Sequence, residues 1–301
     1  MNSYKVSMKR NLDEKDIFNK FKKLGWSNDS QSKTIFNFLM KVRKQVKSNQ
    51  ILLDLGAGEC RYSFFFDNCY YISVDFAKGD RKWDFSKLNI LGDITKLNFL
   101  RDNSVDYILN TVVLEHINEP HKFLKEVARV LKPGGRLFIQ APFLFAEHQI
   151  PYDFFRYTSY GLRYLMKQSG LKIISLDPTN SPLFTGSRIA SYSLQVAAGN
   201  NIPVKVILLF LRYFSKLLLP LFDKLEPYIE KHNLPLGWIL VAKKEGNSIM
   251  KKHTSREQAV DSIICCPICK SAIHRLNGFL KCSKCTERFP IINEQLNFLE
   301  Y

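Results

Sequence analysis

One stretch of this chain, ILLDLGAGECRYS at Ile51 to Ser63, constrains the fold more than any other. An apolar run ends in an acid and is followed by two glycines, one residue apart. At a turn between a strand and a helix, glycine allows unusual backbone angles and lets a ligand approach closely, because no Cβ intervenes. The stretch therefore predicts a buried strand whose following turn holds a nucleotide-like ligand.

The glycine pattern argues against a dinucleotide as that ligand. The dinucleotide fingerprint is G-x-G-x-x-G, and its third glycine allows close contact between helix and strand. Gly56 and Gly58 fit the first two positions, but Arg61 occupies the third. The turn alone therefore leaves the ligand open.

Strands and helices alternate along the rest of the chain. An amphipathic helix is predicted over residues 13–48, and apolar runs predict most of the strands. Such alternation favours a doubly wound α/β sheet with parallel strands. The predicted strands are Gln50 to Leu55, Tyr70 to Asp75, Val105 to Asn110, Arg136 to Ala141, Lys172 to Leu176 and Trp238 to Lys243, and the later helices are Pro120 to Leu131 and a Thr158-capped helix to Gln168.

Five motifs in order, LDLGAGE, SVDFA, GDI, DNSVDYILNTVVLEHI and EVARVLKPGGRLFIQAP, together resemble the class I S-adenosylmethionine-dependent methyltransferases. The resemblance is to the type 11 small-molecule branch, and it covers about residues 50–180 plus the strand near 238–243. It implies a Rossmann-like sheet and S-adenosyl-L-methionine as cofactor. The binding roles that it implies are Asp54, Gly56 and Gly58 at the methionine end, Asp75 at the ribose, Asp93 and Ile94 at the adenine, and Asn110 lining the cofactor.

Two histidines are candidates for a general base. A hydroxyl acceptor would benefit from a base of near-neutral pKa, which histidine supplies. His116 follows the third strand at the ligand-binding edge, although a pocket-lining role is the alternative for it. His148 lies in the loop EHQIPYDFFRYT, which also carries the candidate substrate-binding residues Tyr152, Asp153 and Arg156. A structural Asp153–Arg156 pair that fastens a lid is the alternative interpretation of that loop.

The net charge of +16 is concentrated on the flanks of the chain. Residues 1–50 carry +8 and residues 203–253 carry +5. Within residues 203–219, Lys205, Arg212 and Lys216 form a narrow basic stripe on an otherwise apolar helix, which is too short to span a bilayer. The pattern predicts either peripheral membrane contact, or a helix packed inside the protein or against a second copy.

Five of the seven cysteines lie in the tail. Cys266 with Cys269 and Cys282 with Cys285 form two CxxC pairs, a spacing that predicts a closed, structural Zn²⁺ site of four thiolates. The tail also resembles the zinc-ribbon-like domain of the methyltransferase activator subunit family, over about residues 264–299. The tail's low charge makes nucleic acid a poor partner for it.

Together these features predict an N-terminal helical region at 1–49, a methyltransferase domain at 50–243 with a helical insertion at 181–235, a linker at 244–262 and a zinc-ribbon-like domain at 263–301. The predicted function is methyl transfer to a small-molecule, glycan or lipid-linked saccharide acceptor. An RNA methyltransferase is the alternative, and a non-catalytic binding module is the third. Without an apolar leader, and with its cysteines at metal spacing, the chain is expected in the cytoplasm, at or near the inner membrane face.

Overall fold

The computed structural model describes residues 12–25, 30–80, 82–197, 234–246 and 255–299, together with positions 206, 210, 213, 224–225, 228–229, 253 and 301. Its strands are β1 (Ile51–Leu55), β2 (Tyr70–Asp75), β3 (Ile90–Leu91), β4 (Val105–Thr111), β5 (Leu131–Pro142), β6 (Leu171–Thr179), β7 (Gly237–Lys244), β8 (Ile273–Leu276), β9 (Phe279–Cys282), β10 (Arg288–Ile292) and β11 (Gln295–Asn297). Its helices are α1 (Glu14–Lys23), α2 (Ser30–Gln45), α3 (Pro120–Val130), α4 (Ser159–Gln168), α5 (Pro182–Ala197) and α6 (Arg256–Ile263).

The described strands form one sheet in the order β6-β7-β5-β4-β1-β2-β3-β11-β10-β9-β8. Strands β1 to β5 run parallel, as the sequence predicts. The prediction is wrong for β7, which runs antiparallel to both β5 and β6. The physical reason is that a parallel strand needs a crossover to the opposite edge of the sheet. Here β6 ends and β7 begins at the same edge, where Gly237 pairs with Thr179.

Strand β1 shows how the sheet is buried on both faces. Ile51, Leu53 and Leu55 point into a core that α3, α4 and α6 also line, whereas Leu52 points into a second core with α1 and α2. Successive side chains of a strand alternate between faces, so a central strand covered on both sides must be apolar throughout. Its single acid, Asp54, is therefore a buried exception.

The N-terminal helical region consists of two helices rather than the single helix predicted over residues 13–48. The carboxylate of Asp13 accepts the backbone N–H of Asp16 and caps α1. Gly25, just beyond its end, has φ +79, a left-handed conformation that stops helices and that glycine adopts freely. α2 then buries Phe38, Leu39 and Val42 against the sheet.

The predicted linker and tail are integrated into the fold. Within 244–262, the segment predicted as a linker, the structure places the start of α6, capped by Ser255. This helix forms because Ala259, Val260 and Ile263 bury themselves in the main core. Strand β11 continues the same sheet by pairing in parallel with β3.

The helical insertion is described only in part. Helix α5 occupies its beginning, and the prediction for residues 203–219 lies outside the described residues except at three positions. Those three, Val206, Phe210 and Tyr213, are more than 60% exposed. No helix within the described ranges combines the length and apolarity needed to cross a membrane.

Candidate active site

The glycine turn after β1 is shaped by close packing on both of its glycines. Gly56 has φ +83, and a Cβ at this position would lie 2.5 Å from the Val113 side chain. Gly58 has φ +51, and a Cβ there would lie 3.3 Å from the ring of Trp83. Only glycine meets both the backbone angle and the space at Gly56, so the turn is built for bare backbone.

Asp75 ties this turn to the end of β2. Its carboxylate accepts the backbone N–H of Gly58 at 2.9 Å and that of Ala77 at 2.8 Å. Burial raises the pKa of Asp75, and the backbone donors act against that shift. Gly92 in turn donates its N–H to the Asp75 backbone carbonyl at 3.0 Å. The structure thereby brings Asp75, the glycine turn and the segment after β3 to one edge of the sheet.

Asp54 is a nearly fully buried carboxyl at this edge. It accepts a hydrogen bond from the Tyr71 hydroxyl, and burial raises its pKa to about 7. A carboxyl in such a site needs a cation before it ionises readily. The Asp54 carboxyl thus lies beside the bare backbone of the turn with a hydrogen bond from Tyr71, and a cation placed there would favour its ionised form.

The remaining predicted cofactor residues surround the same edge. Asn110 at the end of β4 donates to the Leu55 carbonyl at 2.9 Å, and its buried Oδ1 has no hydrogen-bond partner among the described residues. Asp93 folds its own turn, since its Oδ1 accepts both the N–H and the hydroxyl of Thr95. Ile94 is buried in the core.

Arg61 occupies the position where a dinucleotide-binding turn has its third glycine. Arg61 is half-exposed and pairs with Glu59, so its side chain lies over the turn rather than between helix and strand. Cys60 adopts φ +55 and is buried, and burial raises its pKa to about 11. It therefore remains a thiol, in keeping with a small packing residue.

Trp83 was missed by sequence reasoning. Its ring packs over Gly58 and over Gly79, where a Cβ would lie 2.7 Å away. The neighbouring Asp84 donates its N–H to Glu59. The sequence gives little indication of this contact, because only the folded turn places Trp83 against Gly58 and Gly79.

The two candidate bases lie side by side. The rings of His116 and His148 are 4.8 Å apart between centroids. Between them lies Glu115, a fully buried carboxylate that sequence reasoning passed over although it directly precedes His116. Its proximity raises the pKa of His148.

The loop from Glu147 to Thr158 is fastened by Asp153 and Arg156. Arg156 donates to both carboxylate oxygens of Asp153 at 2.6 Å, and to the carbonyls of Phe145 and Ala146. These bonds lower the pKa of Asp153 to about 2. The pair closes the loop, as the structural interpretation of these residues requires.

Tyr152 faces the opposite way from the histidines. Its side chain is 44% exposed and contacts the ring of Phe76, which directly follows Asp75. Only its backbone carbonyl reaches His116. The loop therefore reaches from Phe76, beside Asp75, to the histidine pair.

A small cavity of about 60 Å³ lies beside this loop. Its lining includes Phe145, which lies just before the loop, Gln140 and Ala141 from β5, and Thr34 from α2. The buried Oε1 of Gln140 has no hydrogen-bond partner among the described residues. The cavity thus combines apolar walls with an unsatisfied acceptor, which suits a small polar ligand.

The four tail cysteines converge. Their sulfur atoms lie 3.4 Å apart for Cys269 and Cys282, 3.5 Å for Cys266 and Cys285, and 3.6 Å for Cys269 and Cys285. Four sulfurs about 2.3 Å from a tetrahedral Zn²⁺ lie roughly 3.8 Å from one another. The cluster is thus close to the geometry of a zinc site. Cys265 instead points its thiol at the Asn98 carbonyl.

Comparison with known proteins agrees with this geometry. Residues 53–139 match the family model described as "Methyltransferase domain". A mouse (Mus musculus) thiol S-methyltransferase, TMT1B, is 31% identical over 122 residues, covering 36% of this chain and 49% of that protein. A demethylmenaquinone methyltransferase of Paenarthrobacter aurescens is 36% identical over 130 residues, covering 40% and 48%.

Among solved structures, the chain is similar to a Burkholderia thailandensis 1,6-didemethyltoxoflavin-N1-methyltransferase with bound S-adenosylhomocysteine. The identity is 12%, the TM-score is 0.44, and the match covers 77% of this chain and 87% of that one. The chain spans about half the length of the curated relatives it matches. The family match covers the strand-and-turn core of the methyltransferase domain predicted at 50–243.

Proposed function

We propose that this protein is an S-adenosylmethionine-dependent methyltransferase that acts on a small-molecule acceptor. The observation that carries the proposal is the cradle at the edge of the sheet, where the Asp75 carboxylate holds the backbone of Gly58 beside the buried Asp54. This cradle lies inside the segment that matches the methyltransferase domain model.

The donor set of the cradle fits the proposed cofactor. Asp54 is short of a cation, and the α-ammonium of a methionine end would supply one. Each Asp75 oxygen accepts one backbone N–H, and a carboxylate oxygen can accept a further bond from a ribose hydroxyl. Asp93 and Ile94 follow within three residues of β3, on the side where an adenine would extend.

The chain's own contribution to the reaction is mainly positioning. When bound, S-adenosylmethionine supplies an activated methyl group on a sulfonium. The glycine turn and Asp54 hold one end of it, and Asp75 orients the other. Correct alignment of an acceptor can account for about 7–11 kcal/mol of a reaction barrier. The loop that Arg156 fastens lies beside this edge of the sheet, and the Nε2 atoms of His116 and His148 would accept the acceptor's proton where no metal ion occupies them.

We propose that the acceptor is a small molecule, a glycan or a lipid-linked saccharide. The cavity beside the loop has room only for a small polar group of that acceptor, and it offers the Gln140 oxygen, which has no hydrogen-bond partner among the described residues. The relatives are named for thiol and demethylmenaquinone methylation. For contact with a membrane surface, the support is the basic-apolar pattern of residues 203–219 and the exposed Val206, Phe210 and Tyr213, spaced to share one helical face.

We also propose that Cys266, Cys269, Cys282 and Cys285 bind a structural Zn²⁺. The closeness of the four sulfurs supports this proposal, as does the closed donor set, which leaves no position for substrate. The zinc would stiffen the antiparallel ribbon formed by β8, β9 and β10.

The test has two parts. Calorimetric titration with S-adenosylmethionine should show one binding site that Asp75→Asn weakens and that the exposed control Asp177→Asn leaves unchanged. Transfer of a labelled methyl group should then be measured against a membrane glycolipid extract and against total RNA. No cofactor binding by folded protein overturns the methyltransferase proposal. Label appearing only in RNA overturns the acceptor class.

A further inference from the structure

Glu115 is a buried carboxylate whose side chain makes no hydrogen bond to the part of the chain that the structure describes. Its side chain is fully buried, and neither of its oxygens has a hydrogen-bond partner among the described residues. An ionised carboxylate is costly to bury unless a cation or several donors compensate it. The Nε2 atoms of His116 and His148 each lie 3.7 Å from Oε1, which is beyond hydrogen-bond length.

Both histidines are held by backbone carbonyls on their far sides. His116 Nδ1 lies 2.7 Å from the Tyr152 carbonyl oxygen, and His148 Nδ1 lies 3.2 Å from the Ala146 carbonyl oxygen. A carbonyl only accepts, so each Nδ1 carries the proton. In the neutral rings, each Nε2 therefore presents a lone pair toward Glu115, and the buried Nε2 of His116 has no hydrogen-bond partner among the described residues.

Arg156 does not alter this assignment. Its Nη2 lies 3.4 Å from His148 Nδ1, but its two protons are used in shorter bonds to Asp153, at 2.6 Å, and to the Ala146 carbonyl, at 2.7 Å. The Asp153 carboxylate also faces both rings, 3.4 Å from His148 Nδ1 and 3.9 Å from His116 Nδ1. Histidines that ligate a metal usually direct their second nitrogen at a carboxylate or carbonyl in this way.

We propose that Glu115, His116 and His148 bind one divalent first-row transition-metal ion. Their three ligand atoms lie within 4.8 Å of one another. For an ion about 2.1 Å from both atoms, a separation of 3.7 Å corresponds to an angle of roughly 120° at the metal, near the tetrahedral value. Two imidazoles and one carboxylate leave further coordination positions open, as in catalytic rather than structural sites.

The ion would compensate the charge of Glu115 and bind the lone pairs of both Nε2 atoms at once. It would lie at the same edge of the sheet as the cofactor cradle, since Val113, two residues before Glu115, packs on Gly56. If methyl transfer occurs as proposed above, the ion would make an acceptor hydroxyl bound at an open position more acidic, so that the hydroxyl gives its proton to solvent before its oxygen attacks the methyl group. This role rests on the proposed function, whereas the metal site itself does not.

Manganese is a suitable probe, because thiolate clusters such as the tail cysteines prefer softer metals. The full-length protein is titrated with Mn²⁺ alone, and free Mn²⁺ is measured by electron paramagnetic resonance. We expect one saturable Mn²⁺ site per chain, weakened at least about tenfold in Glu115→Gln and in His148→Gln. The matched controls are Glu119→Gln and His121→Gln, which alter exposed side chains of the same types and should bind Mn²⁺ as the unchanged protein does.

A second probe separates the two proposed metal sites. Co²⁺ bound by nitrogen and oxygen ligands lacks the intense sulfur-to-metal charge-transfer band that a thiolate site produces. In protein whose tail cysteines already hold zinc, we expect a Co²⁺ spectrum without that band. We expect His148→Gln to lose this Co²⁺ spectrum. The proposal is overturned if folded protein shows no saturable Mn²⁺ binding, or if Glu115→Gln and His148→Gln bind it as tightly as the controls do.

Should Glu115→Gln fail to fold, His148→Gln decides the question, because His148 lies on a partly exposed loop. Calorimetry with S-adenosylmethionine is carried out separately, without added Mn²⁺, on protein whose tail cysteines keep their zinc. Cofactor binding without Mn²⁺ binding overturns the metal site and leaves the methyltransferase proposal in place. Mn²⁺ binding without cofactor binding overturns the methyltransferase proposal and leaves the metal site in place.

Discussion

Replacing Asp54 with asparagine should stabilise the protein at neutral and alkaline pH. Burial raises the pKa of Asp54 to about 7, against an ordinary value of 3.8. Below pH 3.8 both the folded and the unfolded chain hold the proton. Between pH 3.8 and 7 the unfolded chain releases it and the folded chain keeps it, so the free energy of unfolding falls as pH rises. Above pH 7 Asp54 is ionised in both states, and the folded protein carries the full free-energy cost of burying that charge.

That cost follows from the pKa difference. One pKa unit corresponds to about 1.36 kcal/mol, so a shift of this size costs on the order of 4 kcal/mol at pH 8. Asparagine carries no charge to desolvate, and its carbonyl oxygen can still accept the Tyr71 hydroxyl. Its amide hydrogens need acceptors in a buried place, which reduces the net gain to about 2–3 kcal/mol.

The assay is urea unfolding of the unchanged protein and of Asp54→Asn at pH 5, 6, 7 and 8. The difference in free energy of unfolding should grow in favour of the variant up to about pH 7 and then stay constant. The exposed Asp177→Asn serves as the control and should show no such trend. A difference that is flat between pH 5 and 8, or that falls with pH, refutes the reasoning. The variant should at the same time bind S-adenosylmethionine poorly, because the carboxylate is lost.

Three further predictions concern the turn, a buried ion pair and the cysteine cluster. Gly56→Ala should destabilise the protein more than Gly25→Ala in thermal melts. Both glycines have positive φ, so alanine at either position costs about 1–2 kcal/mol in backbone strain, but only at Gly56 would the added Cβ also press on Val113. Lys132→Met should cost about 3–5 kcal/mol in urea unfolding by leaving Asp106 buried without its cation, and Asp106→Asn in the same chain should restore part of it. Removing zinc with a chelator should lower the melting temperature, with metal analysis finding about one zinc per chain beforehand; an unchanged melting curve after zinc loss contradicts a structural role.

The central strands could be predicted from sequence because their signal is local. Strands β1 and β2 are apolar runs that end in acids, and their predicted ends match the structure within one residue. The direction of β7 could not be predicted in this way. Its pairing with β5 and β6 depends on where the insertion returns to the sheet, and no local pattern records that. The same holds for α6, whose polar, charged sequence becomes a helix only because three small or apolar residues find the core.

The candidate site divides in a similar way. The residues predicted for the cofactor lie together at one edge of the sheet because the strand ends that carry them fix their spacing along the chain. Glu115 was missed because its role depends on burial and on a second histidine 33 positions along the chain, which only the folded loop brings near. Trp83 was missed because it reaches the glycines from a connection without regular structure.

The tail and the cofactor cradle are mechanically linked through β3. This strand has only two residues, Ile90 and Leu91, and it is held by β2 on one side and by β11 on the other. The stacking of Phe298 on Phe99, with centroids 4.9 Å apart, adds a contact on the same flank. Without β11, the strand would present unpaired backbone at an open sheet edge.

The residues proposed for the adenine, Asp93 and Ile94, follow β3 directly, so their position depends on how firmly that strand is held. The two CxxC pairs lie at the two ends of the β8–β9 hairpin, so a metal bound by them would hold both ends. Strand β10 pairs antiparallel with β9 and with β11, and so connects this hairpin to β11. A metal in the tail would therefore act on the adenine end of the cradle without touching it. Loss of zinc should consequently weaken S-adenosylmethionine binding, while variants of Glu115 and His148, which are not among the residues proposed to hold the cofactor, should leave that binding in place.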